Sequence, residues 1–518
     1  MAVAAADVTK ASRRQWLVVG AMALPLMMLT IDAFGLTVAL PTLGRELNTS
    51  TSVLAWVLNA FMLAFAAPQI AVGRLADIYG RRKMVLLGLV IFMAGSILAG
   101  TAQSAGWLIT ARVVQGLGTA MSFVTSLSIV SNTFPDAQRG QAIGVWAAVG
   151  TIGQSIGPLA AGVLTETLGW RWFFFLNIPL GLAALALTLL LVPESRDEDA
   201  SHHIDLVGFA TVTAGVVLLV LGIQMSGQLG WGSPVVYGGL IAGVVLLVLF
   251  LVIEPRIKNP FVDLSLFEHA IFLGSLVILF GWNWLWAAMM FFLTLYLQHV
   301  QDLSPVTTGL MFLTFAIPFA GVSSVAGKVA DIVTRRGSIL IGLALVCIGA
   351  LIFATIGAYT SLVLVAAGFL GFGAGGALTY NAAATSGMSS IPQAEAGTAS
   401  GVQNTIFQLG PAFGLAVGSA LFKTVETDRL VSLLRSAGAS ITPSHRAEIR
   451  GLLSGSTGAE DRLSSIAPPA AHQIESIVDQ AFMSGFHAAM FLGLAVGIVA
   501  LIAAAVSQRE PSGSSPTA

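Results

Sequence analysis

Apolar stretches of about twenty residues, set apart by short polar turns, recur from one end of this chain to the other. A helix of that length crosses a hydrocarbon core of about 30 Å. The pattern predicts spans over 16–40, 53–73, 84–102, 105–128, 141–165, 172–192 and 207–226. It continues with 235–254, 270–298, 305–327, 339–357, 360–385, 398–422 and 485–507. The expected fold is an all-α membrane protein of fourteen transmembrane helices. The Gly/Ser/Thr-rich stretches near 115–130 and 371–390 give the weakest apolar signal. The first run is too long for a signal-peptide core and reads as an uncleaved first span.

The pattern also repeats internally. GRLADIYGRRKMVLLG at 73–88 aligns with GKVADIVTRRGSILIG at 327–342, identical at eight of sixteen positions. Gly157-Pro158 is echoed by Gly410-Pro411 at nearly the same offset. Helices 1–6 and 9–14 therefore read as two six-helix pseudo-repeats with two helices inserted between them. The expected organisation is a first bundle over 1–195, a linker with the inserted pair over 196–262, and a second bundle over 263–518. The second bundle carries a long outer loop at 423–484, including the amphipathic stretch VETDRLVSLLRSA. Repeats of this kind build alternating-access transporters, whose site lies near midplane between the halves.

Composition agrees. The 518 residues are 56% hydrophobic and 9% charged, where soluble domains run near a quarter charged, and the mean hydropathy is +0.87. A net charge of −1 offers no basic excess for a nucleic-acid partner. The single cysteine, Cys347, excludes an internal disulfide. Basic residues orient the spans. With the N-terminus inside, Arg74, Arg81, Arg82, Lys83, Arg139, Arg196, Arg256, Lys258, Lys328, Arg335, Arg336 and Arg509 are cytoplasmic. The short outer loops then hold only Arg45 and Arg171, and an even helix count returns the C-terminus to the cytoplasm.

Against this apolar background two charges stand out. Asp32 lies mid-span in LTIDAFGLTVALP, where an ionised carboxylate costs about 2.5–3.5 kcal/mol or more on insertion scales. Arg112 lies about a third of the way into the fourth helix, at comparable depth. An Asp32–Arg112 pair would keep the carboxylate charged while engaged and let it take a proton when the halves rock. The alternatives are a packing role for Asp32, and an arginine satisfied by backbone carbonyls alone. The second half has no counterpart charge near Ala366 and Ala367. In the repeated loop, Gly73 is expected to allow close helix approach. Asp77 is expected to hold the two helices in one state through a charge contact that breaks in the other, with Arg81, Arg82 and Lys83 keeping the loop inside. Asp331 and Arg335 are the second copy.

GRLADIYGRRK resembles the helix 2–3 signature of the major facilitator superfamily. Arg112-Val-Val-Gln115-Gly116-Leu-Gly118 is similar to its helix 4 motif, and Gly153-Gln-Ser-Ile-Gly157-Pro158-Leu-Ala-Ala-Gly162 to its antiporter motif. IDAFGLTVALP and WRWFFFLNIPLG are similar to signatures of the fourteen-helix drug:proton antiporter branch. The resemblance covers essentially the whole chain. It departs at Phe34 and Thr37, where the branch has Thr and Asn. Asn59 stands where exporters of divalent cations carry an Asp, which speaks against polyvalent-cation export. For Gly153, Gly157, Pro158 and Gly162 the resemblance implies an antiporter; physically these residues bring helices close.

The expected ligand wall is drawn from polar and aromatic residues in apolar helices: Asn59, Gln115, Gln154, Asn283, Trp284, Tyr380, Asn404, Phe407 and Gln408. Each alone reads more readily as a helix-packing residue than as a contact, and a cavity between bundles is expected to collect several of them. GQSIG at 153–157 matches a nucleophile-elbow pattern and GFGAGG at 371–376 a dinucleotide pattern, but neither has the strand context the chemistry needs. His202-His203, in an acidic stretch, reads as a solvated linker. The expectation is therefore a proton-driven exporter of lipophilic, uncharged or cationic compounds. It would be a monomer in the cytoplasmic membrane with both termini inside, no metal and no cofactor, the proton motive force supplying the energy. The alternatives are a dedicated exporter of an endogenous lipid or natural product and, in another class, a membrane sensor with a transporter fold. No constellation supports an enzyme.

Overall fold

Short turns and serine caps divide the chain as the apolar pattern does. A computed structural model describes residues 12–134, 136–196, 205–257, 264–392, 396–439 and 474–508, and every regular element among them is helical. Among the described residues thirteen helices are long and apolar enough to cross a membrane, and a pair bent by 47°, taken as one span, brings the number to fourteen. In order they are α1 (Arg13–Glu46), α2 (Thr51–Ala66 with Gln69–Tyr79), α3 (Arg81–Gly100), α4 (Ala105–Thr133) and α5 (Asp136–Thr167). There follow α6 (Arg171–Leu191), α7 (Leu206–Leu229), α8 (Pro234–Ile253), α9 (Ala270–Val300) and α10 (Pro305–Val333). The last four are α11 (Arg335–Thr355), α12 (Leu362–Ser389), α13 (Ala396–Ser436) and α14 (Ile474–Ser507). Ser50, Ser104 and Ser304 accept from the backbone N–H groups of Val53, Trp107 and Thr307, satisfying donors the helix starts would leave open. The bend in α2 falls at Pro68, which has no N–H to continue the ladder.

The repeat is visible in the packing. α1 packs on α4, α5 and α6, α3 on α4 and α6, and α2 on α4. Eight helices later, α9 packs on α12, α13 and α14, α11 on α12 and α14, and α10 on α12. Between the bundles α5 meets α10 and α2 meets α13, two contacts that a two-fold relation exchanges. Glycines set the closest approaches. A Cβ on Gly88 would lie 2.7 Å from the carbonyl oxygen of Gly118, and one on Gly342 2.6 Å from that of Gly375. Backbone therefore touches backbone in both halves, with Gly88 and Gly342 254 residues apart in sequence.

The inserted pair sits outside this arrangement. α7 packs on α8 and leans on α13 and α2. Only 17% of the most apolar stretch of α8 is buried, against 83% for α9. A helix apolar on all sides yet uncovered by protein suits the bilayer.

One expectation is revised. The span predicted to end near 422 continues as α13 to Ser436, and the last span begins at Ile474 rather than 485. Leu430, Val431 and Leu434 of the amphipathic stretch pack against Ile474, Ile477 and Ala481, so both ends of the expected loop are helical continuations of spans. Residues 440–473 of that loop lie outside the described residues, as do His202, His203, Lys258 and Arg509.

Candidate functional site: a buried ion pair in the first bundle

Three glycines fix the turn of α1 that carries Asp32. Cβ atoms at Gly153 and Gly157 would fall 2.7 Å from the Met27 oxygen and 2.8 Å from the Ile31 oxygen, and one at Gly35 2.6 Å from the Gly157 oxygen. α5 thus lies flush against α1 just before and just after Asp32, whose carboxylate meets α4 and α6. Arg112 Nη1 donates to Asp32 Oδ2 at 2.5 Å, and both residues are 0% exposed. The same Nη1 donates to Gln115 Oε1 at 2.8 Å, and Nε to the Val57 carbonyl at 3.2 Å. Gln115 Nε2 donates to Ser96 Oγ at 2.8 Å. Asn177 Nδ2 lies 3.4 Å from both Asp32 Oδ1 and Ser96 Oγ. The guanidinium also stands 4.1 Å from the centre of the Phe61 ring. Arg112 is therefore satisfied by more than backbone, and Asp32 by more than packing. Arg112 Nη2 and Asn177 Oδ1 are buried without a partner.

The same motif reaches the other bundle. A Cβ at Gly309 would lie 2.6 Å from the Pro158 oxygen, and one at Gly162 2.6 Å from the Pro305 oxygen. The α5–α10 seam is closed near the turn before α10. Gln298 Nε2 donates to the Val38 carbonyl at 2.9 Å and Phe34 packs on Trp286 on the same side of the molecule. Towards the Arg81 and Arg335 face, Val145 and Ile152 of α5 and Ile317, Val325 and Ile332 of α10 are exposed. The other seam holds on that side through Asn404 Nδ2, which donates to Gln69 Oε1 at 2.6 Å.

The expected wall residues divide. Asn283 Nδ2 donates to the Phe407 carbonyl at 2.7 Å, the Tyr380 and Phe407 rings lie 5.2 Å apart, and Trp284 packs on Phe280. The second bundle thus gathers four of them around α9, α12 and α13. Gln115 belongs to the ion-pair network, Asn404 to the seam, and Asn59 bonds Gln224 of the inserted α7 at 2.6 Å. Gln154 is buried on α5 and Gln408 half-buried on α13. Both dismissed motifs lie within helices, GQSIG in α5 and GFGAGG in α12.

In the repeated loop Asp77, near the end of α2, accepts from Arg81, the first residue of α3, at 3.0 and 2.7 Å. A Cβ at Gly73 would sit 3.6 Å from Val124, an ordinary distance, so the expected close approach there is not seen. Arg82 Nη2 donates to the Leu189 carbonyl of α6, and Arg336 Nη2 to the Ala505 carbonyl of α14, the same tie in each half. Arg335 donates to Ser389 Oγ, and Asp331 is exposed.

Several partners escaped the sequence reading. Asn177 lies in the WRWFFFLNIPLG motif, where a lone amide among large apolar residues was the available signal. Glu194, just past the end of α6, accepts from the Arg82 and Lys83 N–H groups at 3.0 and 3.3 Å and caps α3. Asp32 is not the only carboxylate buried in a helix: Glu426, one turn past the predicted end of its span, is 4% exposed and 3.5 Å from Lys423 Nζ.

The family profile described as Major Facilitator Superfamily matches residues 22–205 and 197–415. The multidrug resistance protein Stp of Mycobacterium tuberculosis is 36% identical over 412 residues, 79% of this chain and 76% of that protein. The tetracenomycin C resistance and export protein of Streptomyces glaucescens is 28% identical over 97% of this chain and 94% of its own. A bacterial homologue of the human lysosomal transporter Spinster shares the fold at a TM-score of 0.65 and 16% identity, over 97% of this chain and 100% of that one. Paired six-helix bundles, an inserted helix pair and these matches together show that the chain belongs to the Major Facilitator Superfamily, within its multidrug-efflux branch.

Proposed function

We propose that this transporter is a proton-coupled antiporter that exports lipophilic, uncharged or cationic compounds across the cytoplasmic membrane by alternating access. The observation that carries the reading is the fully buried Asp32–Arg112 pair, a charge held in an otherwise apolar bundle beside the helix that forms the α5–α10 seam. Ionisable side chains at such depth are costly to insert even when paired, which makes them functional-site candidates. Basic residues at the Arg81 and Arg335 ends support placing that face, and both termini, in the cytoplasm.

Arg112 holds the Asp32 carboxylate in the ion pair, and Asn177 and Ser96 hold the geometry. Rocking at the α5–α10 seam is transmitted to α1 through the Gly35–Gly157 contact. The movement parts Asp32 from Arg112 and lets the carboxylate take an outside proton. Proton release to the inside then re-forms the pair. Substrate occupies the space between bundles, against the Tyr380, Phe407 and Asn283 group. The relative named for multidrug resistance supports a broad rather than a uniquely shaped substrate range.

A dedicated natural-product exporter is the second reading. What favours it is the relative named for tetracenomycin C, which aligns over nearly the whole chain, inserted helices included. The deciding experiment is transport in proteoliposomes under an imposed pH gradient. Export of several unrelated lipophilic dyes and drugs is expected. Export by Asp32→Asn at the wild-type rate overturns the coupling, and export of one compound alone favours the second reading.

A further inference from the structure

Four of the five tyrosines are accounted for by the membrane and the fold. Tyr79, Tyr237 and Tyr359 lie at helix ends or in a turn and are more than half exposed, where the headgroup region accepts a phenol readily. Tyr296 is buried, and its hydroxyl donates to the Gly357 carbonyl at 2.9 Å. Tyr380 differs. It lies well inside α12, is 36% exposed, and its hydroxyl makes no hydrogen bond among the described residues. Its neighbours on the helix give its direction. One turn earlier, a Cβ on Gly376 would run into the Trp282 ring of α9. The next residue, Asn381, donates to Ser323 Oγ of α10 at 3.2 Å. With 3.6 residues per turn Tyr380 falls between these two directions, and its ring meets Phe407 of α13 at 5.2 Å. Its exposed part therefore opens on space among α9, α10 and α13, inside the protein.

Phe407 is held from behind. Pro411, one turn on, has no N–H to offer the Phe407 carbonyl, and Asn283 Nδ2 of α9 donates to it instead at 2.7 Å. Cβ atoms at Gly410 and Gly414 would lie 2.6 Å from the Phe280 and Trp284 oxygens, so α13 sits flush on α9 here. The two rings thus form a fixed apolar surface with one free hydroxyl. Apart from His299, α9 and α12 contain no acid or base, and α13 contains none before Lys423.

We propose that Tyr380 and Phe407 select flat, uncharged aromatic substrates that carry a hydrogen-bond acceptor such as a carbonyl. The ring system rests on the two side chains, and the Tyr380 hydroxyl donates to the acceptor. The proposal rests on the exporter reading above and narrows its substrate class. Ring–ring contact adds to the area buried, which favours aromatic over aliphatic lipophiles. A hydroxyl without a partner favours a substrate able to accept from it. A cation would find no counter-charge here, and ring faces alone offset only part of its desolvation.

The test is equilibrium binding of tritiated 9-fluorenone to the full-length protein in lipid nanodiscs, with fluorene, dicyclohexyl ketone and proflavine as competitors. Fluorene keeps the flat rings without the carbonyl, the ketone keeps the carbonyl without the rings, and proflavine is flat and cationic. Saturable fluorenone binding is expected, with all three competitors weaker than unlabelled fluorenone. Tyr380→Phe should cut the preference for fluorenone over fluorene about tenfold, the range for one hydrogen bond. A merely structural role for Tyr380 would weaken both compounds together. Phe407→Leu should weaken both alike. Elution volume and unfolding midpoint check that each variant is folded, and the competitor ranking on wild type carries the test alone if they are not. No gradient is applied, so failure of proton-driven export leaves a positive result standing, and failure of binding leaves the coupling standing. Unsaturable fluorenone binding, a competitor that matches fluorenone on wild type, an unchanged preference in folded Tyr380→Phe, or indifference to folded Phe407→Leu overturns the proposal.

Discussion

Arg112 and Asp32 meet at 2.5 Å with both side chains wholly buried, and the guanidinium lies on the ring of Phe61. Such a pair is poor evidence for stability as such, but breaking it leaves a charge stranded. Removing one partner of a buried pair costs about 3–5 kcal/mol, while replacing both with uncharged groups of similar volume is often neutral. Arg112→Met should therefore unfold at markedly lower temperature than wild type, and Arg112→Met with Asp32→Asn should recover most of the loss. Thermal unfolding of the three detergent-solubilised proteins checks this. A double variant no more stable than Arg112→Met would mean the two residues do not form one electrostatic unit.

Transport separates the proton role from the structural one. Asp32→Asn keeps an acceptor for Arg112 but has no proton to exchange. It should lose acceleration by a pH gradient while retaining substrate counterflow, which needs binding and rocking only. The substrate's charge sets a second signature. Exchange of one proton for a monovalent cation moves no net charge, whereas exchange for a neutral compound moves one, worth about 2.3 kcal/mol per 100 mV. Membrane potential alone should then accumulate a neutral compound about fiftyfold per 100 mV at the limit and leave a monovalent cation unmoved. Driving both equally would refute the one-proton scheme.

Glycine substitutions should sort by backbone contact, not by motif. At Gly157 a Cβ would meet the Ile31 oxygen at 2.8 Å, where neither helix can yield without shifting the turn that carries Asp32. Gly157→Ala should cost about 1–3 kcal/mol, the usual range for overpacking, and lower the transport rate. Gly144, on the same helix, has nothing within 4 Å of such a Cβ. Gly144→Ala should change stability by no more than about 0.5 kcal/mol. Equal losses at the two positions, measured by unfolding and by dye export, would argue against the α1–α5 contact as the element that places Asp32.

The spans and the repeat were legible because bilayer thickness and loop length leave few alternatives, and the sequence writes both directly. Asp32 and Arg112 were legible for a related reason: a charge in an apolar run is rare enough to need a partner. Asn177, Ser96 and Glu194 were not, because an amide, a hydroxyl or a loop carboxylate is common in sequence and becomes specific only when folding brings it to a particular atom. The end of α13 was misplaced because Lys423 and Glu426 read as a polar boundary, whereas they pair with each other at the protein's own expense and stay buried. Gly73 shows the reverse error. A glycine in a familiar pattern suggested a close contact that the 3.6 Å distance to Val124 does not require.

Rocking requires that contacts between bundles break, and the Gln69–Asn404 hydrogen bond joins α2 of the first bundle to α13 of the second. A neutral hydrogen bond contributes about 0.5–1.5 kcal/mol, small enough to be broken in each cycle. Gln69→Leu should therefore shift the balance between states without unfolding the protein. A covalent tie at the same place should be absolute. In a background with Cys347→Ala, Gln69→Cys with Asn404→Cys bridged through mixed disulfides by a short bis-methanethiosulfonate linker should bind substrate yet stop transport, and reductant, by cleaving the disulfides, should restore the rate. The native Cys347 lies on α11 away from this seam, so its replacement removes only background reactivity. If the fully bridged protein still transports at the wild-type rate, the α2–α13 contact persists through the cycle, and the moving seam is elsewhere.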